Sequence, residues 1–225
     1  MSTNSLAGRL TAEAVGTAVL AATAVGAGLK AVSGPAGGVG AVAGTLAPAA
    51  ALAVLIALFA PVSGGHLNPL VTAAAWWPAR REPGAGRTAA GYAAAQLLGA
   101  AGGVALAAAM FGRLPAVSAV HRDGPRQWLG EAVATGVLIL LVAALVRGGR
   151  VALAPLAVGG WVVAAGWAVP SGGFANPALT LARAVAADPA GIAPHSLPGF
   201  LIAQLVGAAA GLALATALFQ AAPGV

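Results

Sequence analysis

One short phrase is written twice in this chain. Residues 63–69 read Ser-Gly-Gly-His-Leu-Asn-Pro and residues 171–177 read Ser-Gly-Gly-Phe-Ala-Asn-Pro, 108 residues further on. The same offset carries 92–111 onto 200–219 with 12 of 20 positions identical. Each phrase follows a long apolar run and opens a short apolar segment with Asn-Pro. A duplicated hydrophobic unit with a Gly-rich break in each half implies two half-helices meeting inside a membrane, the architecture of a pore or a transporter.

Composition supports the membrane setting. The 225 residues are 60% hydrophobic and only 7% charged, whereas a soluble domain carries about 25% charged residues. The net charge of +6 comes from scattered basic residues with no basic tract, so nucleic acid is not an expected partner. With no cysteine, disulfides and thiolate metal sites are excluded. The first apolar run, from about 12 to 29, has Glu13 near its start and reads as a retained span, not a cleavable signal.

A helical span needs roughly 20 apolar residues. Six runs approach that length, at 10–29, 42–61, 89–111, 127–146, 151–169 and 198–220. The segments 68–78 and 176–186 are about half as long. Pro69 and Pro177 suit the first turn of a helix, where a missing N–H costs nothing. Each half therefore reads as span, span, half-helix, span. Three spans is an odd number, so the halves insert in opposite senses and their half-helices point at each other. Irregular backbone at membrane depth is tolerated where it lines a watery cavity, which predicts that 63–67 and 171–175 do so. Arg9, Arg80, Arg81, Arg87, Arg147 and Arg150 fall on one side, against Lys30, Arg113, Arg122 and Arg126 with Asp123 on the other. This bias predicts a multi-pass membrane protein with cytoplasmic termini; the membrane expected is the cell's inner (plasma) membrane.

Asn68 and Asn176 are the expected pore centre, because their amide N–H groups can donate to a neutral solute beside a helix N-terminus that repels cations. Gly64, Gly65 and His66, with Gly172, Gly173 and Phe174, are expected to turn carbonyls toward the lumen. His66 reads equally as a buried histidine bonded to backbone. Glu13 and Glu131 stand in matching phrases (EAVGTAVL and EAVATGVL) in the first span of each half. They are either proton-relay groups or braces that accept backbone N–H bonds from a re-entrant segment. Two symmetric acids without an intramembrane lysine favour the brace. Gln96 and Gln204 are expected to satisfy buried hydrogen bonds, and the five tryptophans to anchor or pack. Arg183 either ends its half-helix or stands at the pore mouth. No nucleophile–base pair or metal-ligand cluster is visible, and the three histidines are far apart in sequence, so neither an enzyme nor a cofactor or metal is expected.

These residues resemble the aquaporin, or major intrinsic protein, family. The likeness runs through Ala12-Glu13, Gly16-Thr17, the two Asn-Pro boxes, Ala95-Gln96, Gly99-Ala100 and Glu131. It implies an all-α, aquaporin-like hourglass fold: six transmembrane helices, two re-entrant half-helices and an inverted repeat (about 1–115 and 116–225) in a single domain over 1–225. It also implies a homotetramer in lipid, with Asn68, Pro69 and Leu70 and Asn176, Pro177 and Ala178 as the central boxes and Glu13 and Glu131 as the acids bracing the loops.

Two departures from the family bear on solute. Leu70 stands where the family usually has Ala, and Leu179 follows the second box where water and glycerol channels nearly always carry Arg. The remaining constriction positions fall near Pro48, Ala164 and Gly173, which makes a wide, apolar filter. Residues 174–208 resemble the aquaporins of bacterial arsenic-resistance operons, which lack the filter Arg. The resemblance implies passive passage of small neutral solutes: arsenous acid or methylated arsenicals, with water and small polyols. An orthodox water channel or glycerol facilitator with a divergent filter is the alternative, and a proton-coupled carrier is a third reading.

Overall fold

The computed structural model of the chain describes residues 4–33, 38–186 and 189–219. Among these the apolar runs form eight helices: α1 (Leu6–Ser33), α2 (Gly38–Ser63), α3 (Pro69–Ala79), α4 (Ala85–Met110), α5 (Pro125–Arg147), α6 (Ala154–Ala168), α7 (Pro177–Ala182) and α8 (Leu197–Leu218). Single 3-10 turns precede α6 and α8, and another (Arg183–Val185) follows α7. Six segments are long and apolar enough to span a bilayer. The helices overrun most of the apolar stretches by a few residues, because polar and small residues continue a helix once it leaves the hydrocarbon. Residue 220, the expected end of the last span, lies outside the described residues. The second half-helix differs from the expected 176–186: it is α-helical only to Ala182 and then tightens.

The repeat is visible in the packing. Helix α1 lies against α4 as α5 lies against α8. At both interfaces glycine lets backbones touch, since a Cβ at Gly99 or Gly103 would fall on the carbonyl oxygen of Ala14 or Ala18. The repeat partners Gly207 and Gly211 meet the carbonyls of Ala132 and Gly136 in the same way. Close approach of this kind is how helices associate in lipid, where no hydrophobic force drives them together. Gly103→Ala is therefore expected to destabilise by more than about 2 kcal/mol, because backbone cannot move aside. Gly102→Ala, one residue along with open space around it, should be neutral or stabilise by up to about 1 kcal/mol. Thermal unfolding of the two variants in detergent checks the contrast.

The half-helices are crossed between the halves. From α7, Ala178, Leu179 and Ala182 sit in a core made by Leu20, Val25, Ala100 and Val104 of the first half. From α3, Leu70 and Val71 sit with Ala134, Leu138, Ile139 and Val158 of the second. The 11 residues of α3 span roughly 16 Å, about half of a ~30 Å hydrocarbon core. The six residues of α7 and the 3-10 turn after them make a shorter counterpart, and the N-termini of the two half-helices meet at Asn68 and Asn176.

Candidate pore and its polar centre

The two asparagines cap the half-helices and lock them together. Asn68 Oδ1 accepts the N–H of Leu70 (2.9 Å), and Asn176 Oδ1 accepts those of Ala178 (3.0 Å) and Leu179 (3.4 Å). Caps of this type stabilise a helix by about 1 kcal/mol. Each amide nitrogen also crosses to the other half: Asn68 Nδ2 donates to the carbonyl of Ala175 (2.7 Å) and Asn176 Nδ2 to that of Leu67 (2.9 Å). An amide nitrogen carries two donors. One closes the joint, and the second remains for the cavity that both asparagines line.

The carbonyls that receive these bonds belong to Leu67 and Ala175, the two non-glycine residues with left-handed backbone among the described residues. Leu67 (φ 50°) and Ala175 (φ 48°) are left-handed, as are Gly64, Gly65, Gly172 and Gly173. A non-glycine residue there costs on the order of 1–3 kcal/mol and persists only when its surroundings hold it. Leu67 is held at both ends: its N–H donates to Glu13 Oε2 (2.7 Å) while its carbonyl takes Asn176. Ala175 is held likewise by Glu131 Oε2 (2.9 Å) and Asn68. Each such hydrogen bond contributes about 0.5–1.5 kcal/mol, and two at each residue are of the same order as the strain.

Glu13 and Glu131 are wholly buried and surrounded by donors. Glu13 also accepts from Ser63 Oγ (2.6 Å), the His66 N–H (3.0 Å) and Gln96 Nε2 (2.7 Å). Glu131 also accepts from the Phe174 N–H (2.8 Å) and Gln204 Nε2 (2.7 Å). Each glutamine passes a second bond to a half-helix threonine, Thr72 or Thr180, at 2.9 Å. His66 bonds through Nδ1 to the Thr72 hydroxyl (3.1 Å), not to backbone, and its ring packs on Tyr92.

A cavity of about 590 Å³ runs past this joint, from Val146 and Val151 beside one set of loops to Arg122, Arg183 and Pro189 beside the other. One wall is apolar, with Leu20, Leu52, Ile56, Val71, Leu138 and Val158. Gly64, Gly65 and His66, with Gly172, Gly173 and Phe174, line the cavity as well, the glycines necessarily through their backbone. Pro48, Leu179 and Arg183 also face it. Pro48 lies inside α2; lacking an N–H, it leaves the carbonyl of Gly44 without its helical donor, and Gly44 lines the cavity too. Arg183 stacks 3.8 Å over the Phe174 ring, with Arg122 over it at 4.9 Å.

Some expected positions lie elsewhere. Ala164 is exposed on the outside of α6, and Val162 and Gly166 line the cavity instead. Two residues along a helix turn the side chain by about 200°, so a small error in counting across the 169–175 loop selects the wrong face. Pro69, Leu70, Pro177 and Ala178 do not line the cavity; Leu70 and Ala178 are buried in the cores that seat the half-helices. Among the tryptophans, Trp161 turns inward and donates to the carbonyl of Ala134 (2.9 Å). Sequence reasoning missed Arg122 as a cavity residue. Its guanidinium is held by the carbonyls of Gly191, Ser171 and Pro189 at 2.8, 3.2 and 2.8 Å, and nothing in its local sequence marks it.

Six spans, two crossed half-helices and a cavity along their joint define a transmembrane channel, not an enzyme. Residues 1–169 match the model of the family described as Major intrinsic protein, and the chain belongs to that family. It is 42% identical over 174 residues to aquaglyceroporin AqpS of Rhizobium meliloti (strain 1021), covering 77% of this chain and 73% of that protein. The X-ray structure of the aquaglyceroporin from Plasmodium falciparum shares the fold, with a TM-score of 0.73 at 18% identity over 94% of each chain.

Proposed function

We propose that this protein passes small neutral solutes down their gradients, with arsenous acid and related metalloid hydroxides ahead of water and polyols. The observation that carries the reading is Leu179, which lines the cavity where water and glycerol channels of the family usually place an arginine. Gly173, Pro48 and the α6 positions Val162 and Gly166 add little bulk and no charge to that level. Arsenous acid is a compact, uncharged trihydroxide that carries its own donors and acceptors. It can bond to backbone carbonyls of the glycine segments and to the free N–H of Asn68 and Asn176 while its remaining surface meets the apolar wall. Likeness to a protein named as an aquaglyceroporin supports a pore that admits more than water.

In this reading the Asn-Pro joint orients the solute and Glu13 and Glu131 brace it without exchanging protons. The termini face the cytoplasm, the protein sits in the inner membrane, and four copies assemble with one pore each. The test is arsenous acid entry into proteoliposomes, followed by arsenic content. A pore gives entry that rises linearly with concentration and ignores an imposed proton gradient. Saturation together with dependence on that gradient would make the protein a carrier; entry at the empty-vesicle rate would remove arsenous acid from its solutes.

A further inference from the structure

His121 and His195 are 74 positions apart in the sequence, and the fold brings them together around Asp123. His195 Nε2 lies 3.0 Å from Asp123 Oδ2 and His121 Nδ1 lies 3.8 Å from the same oxygen. The two imidazole rings are 4.6 Å apart between centroids. One ligand atom from each of the three residues can be chosen so that all lie within 4.8 Å of one another. All three side chains are open to solvent, at 73%, 42% and 54% exposure for His121, Asp123 and His195.

We propose that His121, Asp123 and His195 form a binding site for a divalent first-row transition-metal ion of the zinc type, at the loop-rich mouth of the cavity. The donor set is two imidazoles and one carboxylate, which suits zinc and its neighbours and leaves a fourth position for water. Ligand atoms on a tetrahedral zinc stand about 3.3 Å apart, given bonds of about 2.0–2.1 Å. The observed spacing needs only small rotations of exposed side chains to close onto an ion.

The backbone beneath the site is already fixed. The 111–124 loop is laid along the segment that runs from α7 to α8. Ala116 donates to the Val185 carbonyl (3.1 Å), Ser118 to that of Ala184 (2.8 Å), and Ala193 to that of Val120 (2.7 Å). The carboxylate has its own support, as metal ligands commonly do. The N–H of Arg122 donates to Ser196 Oγ (3.1 Å). The Ser196 side chain in turn hydrogen-bonds the Asp123 carboxylate. Side chains alternate along the loop: His121 and Asp123 turn outward, while Arg122 turns inward to the carbonyls of Ser171, Pro189 and Gly191. An ion here would clasp the loop to the start of α8 directly over a cavity-lining residue. The site stands apart from the pore centre, so it does not depend on which solute the channel passes.

The experiment uses the full chain in detergent, with any affinity tag removed, titrated with Zn2+ by calorimetry and with Co2+ by visible absorption. One ion per chain is expected. The Co2+ spectrum should carry the intensity of a low-coordinate nitrogen–oxygen site, and thermal unfolding should shift upward with Zn2+. His121→Ala and His195→Ala should each weaken binding by more than about tenfold while unfolding at the parent temperature in chelator. No binding at millimolar Zn2+, or binding unchanged in both variants, would overturn the proposal and leave the cluster as a hydrogen-bonded loop clasp.

Discussion

Leu179→Arg is expected to reduce arsenous acid and glycerol permeability by at least about tenfold, equivalent to roughly 1.4 kcal/mol of added barrier, and water permeability far less. Leu179 is buried to 6% exposure and borders the cavity on α7, one turn before Arg183. A guanidinium at this position occupies lumen that the leucine leaves free. It also brings a fork of donors that must find acceptors in a confined space, and the carbonyls of the 171–175 segment are the acceptors nearest in the chain. Both effects narrow the passage, and a solute the size of water tolerates that best. Stopped-flow permeabilities of parent and variant, normalised to protein content, check the ratio. Equal loss for water and arsenous acid would mean that size selection does not operate at Leu179.

Glu131→Ala is expected to remove the folded channel altogether. The substitution strips acceptors from the N–H groups of Phe174 and Ala175 and from Gln204. Each buried donor left unsatisfied costs about 1–3 kcal/mol, and the left-handed Ala175 loses half of what holds it. Glu131→Gln separates the two readings of this acid. As a brace, the amide keeps one acceptor and lowers stability and the flux of every solute together, at any proton gradient. As a proton relay, it would leave the fold intact and abolish only gradient-driven transport. Yield of monodisperse protein and its unfolding temperature, measured beside flux, distinguish the outcomes. Glu13 accepts one more bond than Glu131, so Glu13→Ala should be at least as severe.

Much of this architecture is legible in the chain because duplication writes it twice. The paired Asn-Pro phrases locate the half-helices, and the odd number of spans per half requires their inversion. Glu13 and Glu131 stand out because a carboxylate in an apolar run needs donors. The features that stayed hidden depend on rotation or on distant loops. Ala164 and Gly166 are equally small and apolar in sequence, and only the rotation of α6 puts Gly166 at the cavity and Ala164 on the outside. Leu67 and Ala175 carry no glycine signature, because their left-handed backbone is imposed by Glu and Asn partners from other helices. Arg122 reads as one loop charge among several until three carbonyls from the 171–191 region gather around it. His121 and His195 become neighbours only when the 111–124 loop lies down beside the start of α8.

The most direct test of the whole account is stopped-flow light scattering on proteoliposomes of the parent chain, comparing water, glycerol and arsenous acid in one preparation. A wide neutral pore predicts that arsenous acid and glycerol enter well above the empty-liposome rate, alongside water and without proton flow. Rapid water movement with both larger solutes excluded would contradict the open filter assigned to Leu179, Pro48 and Gly173.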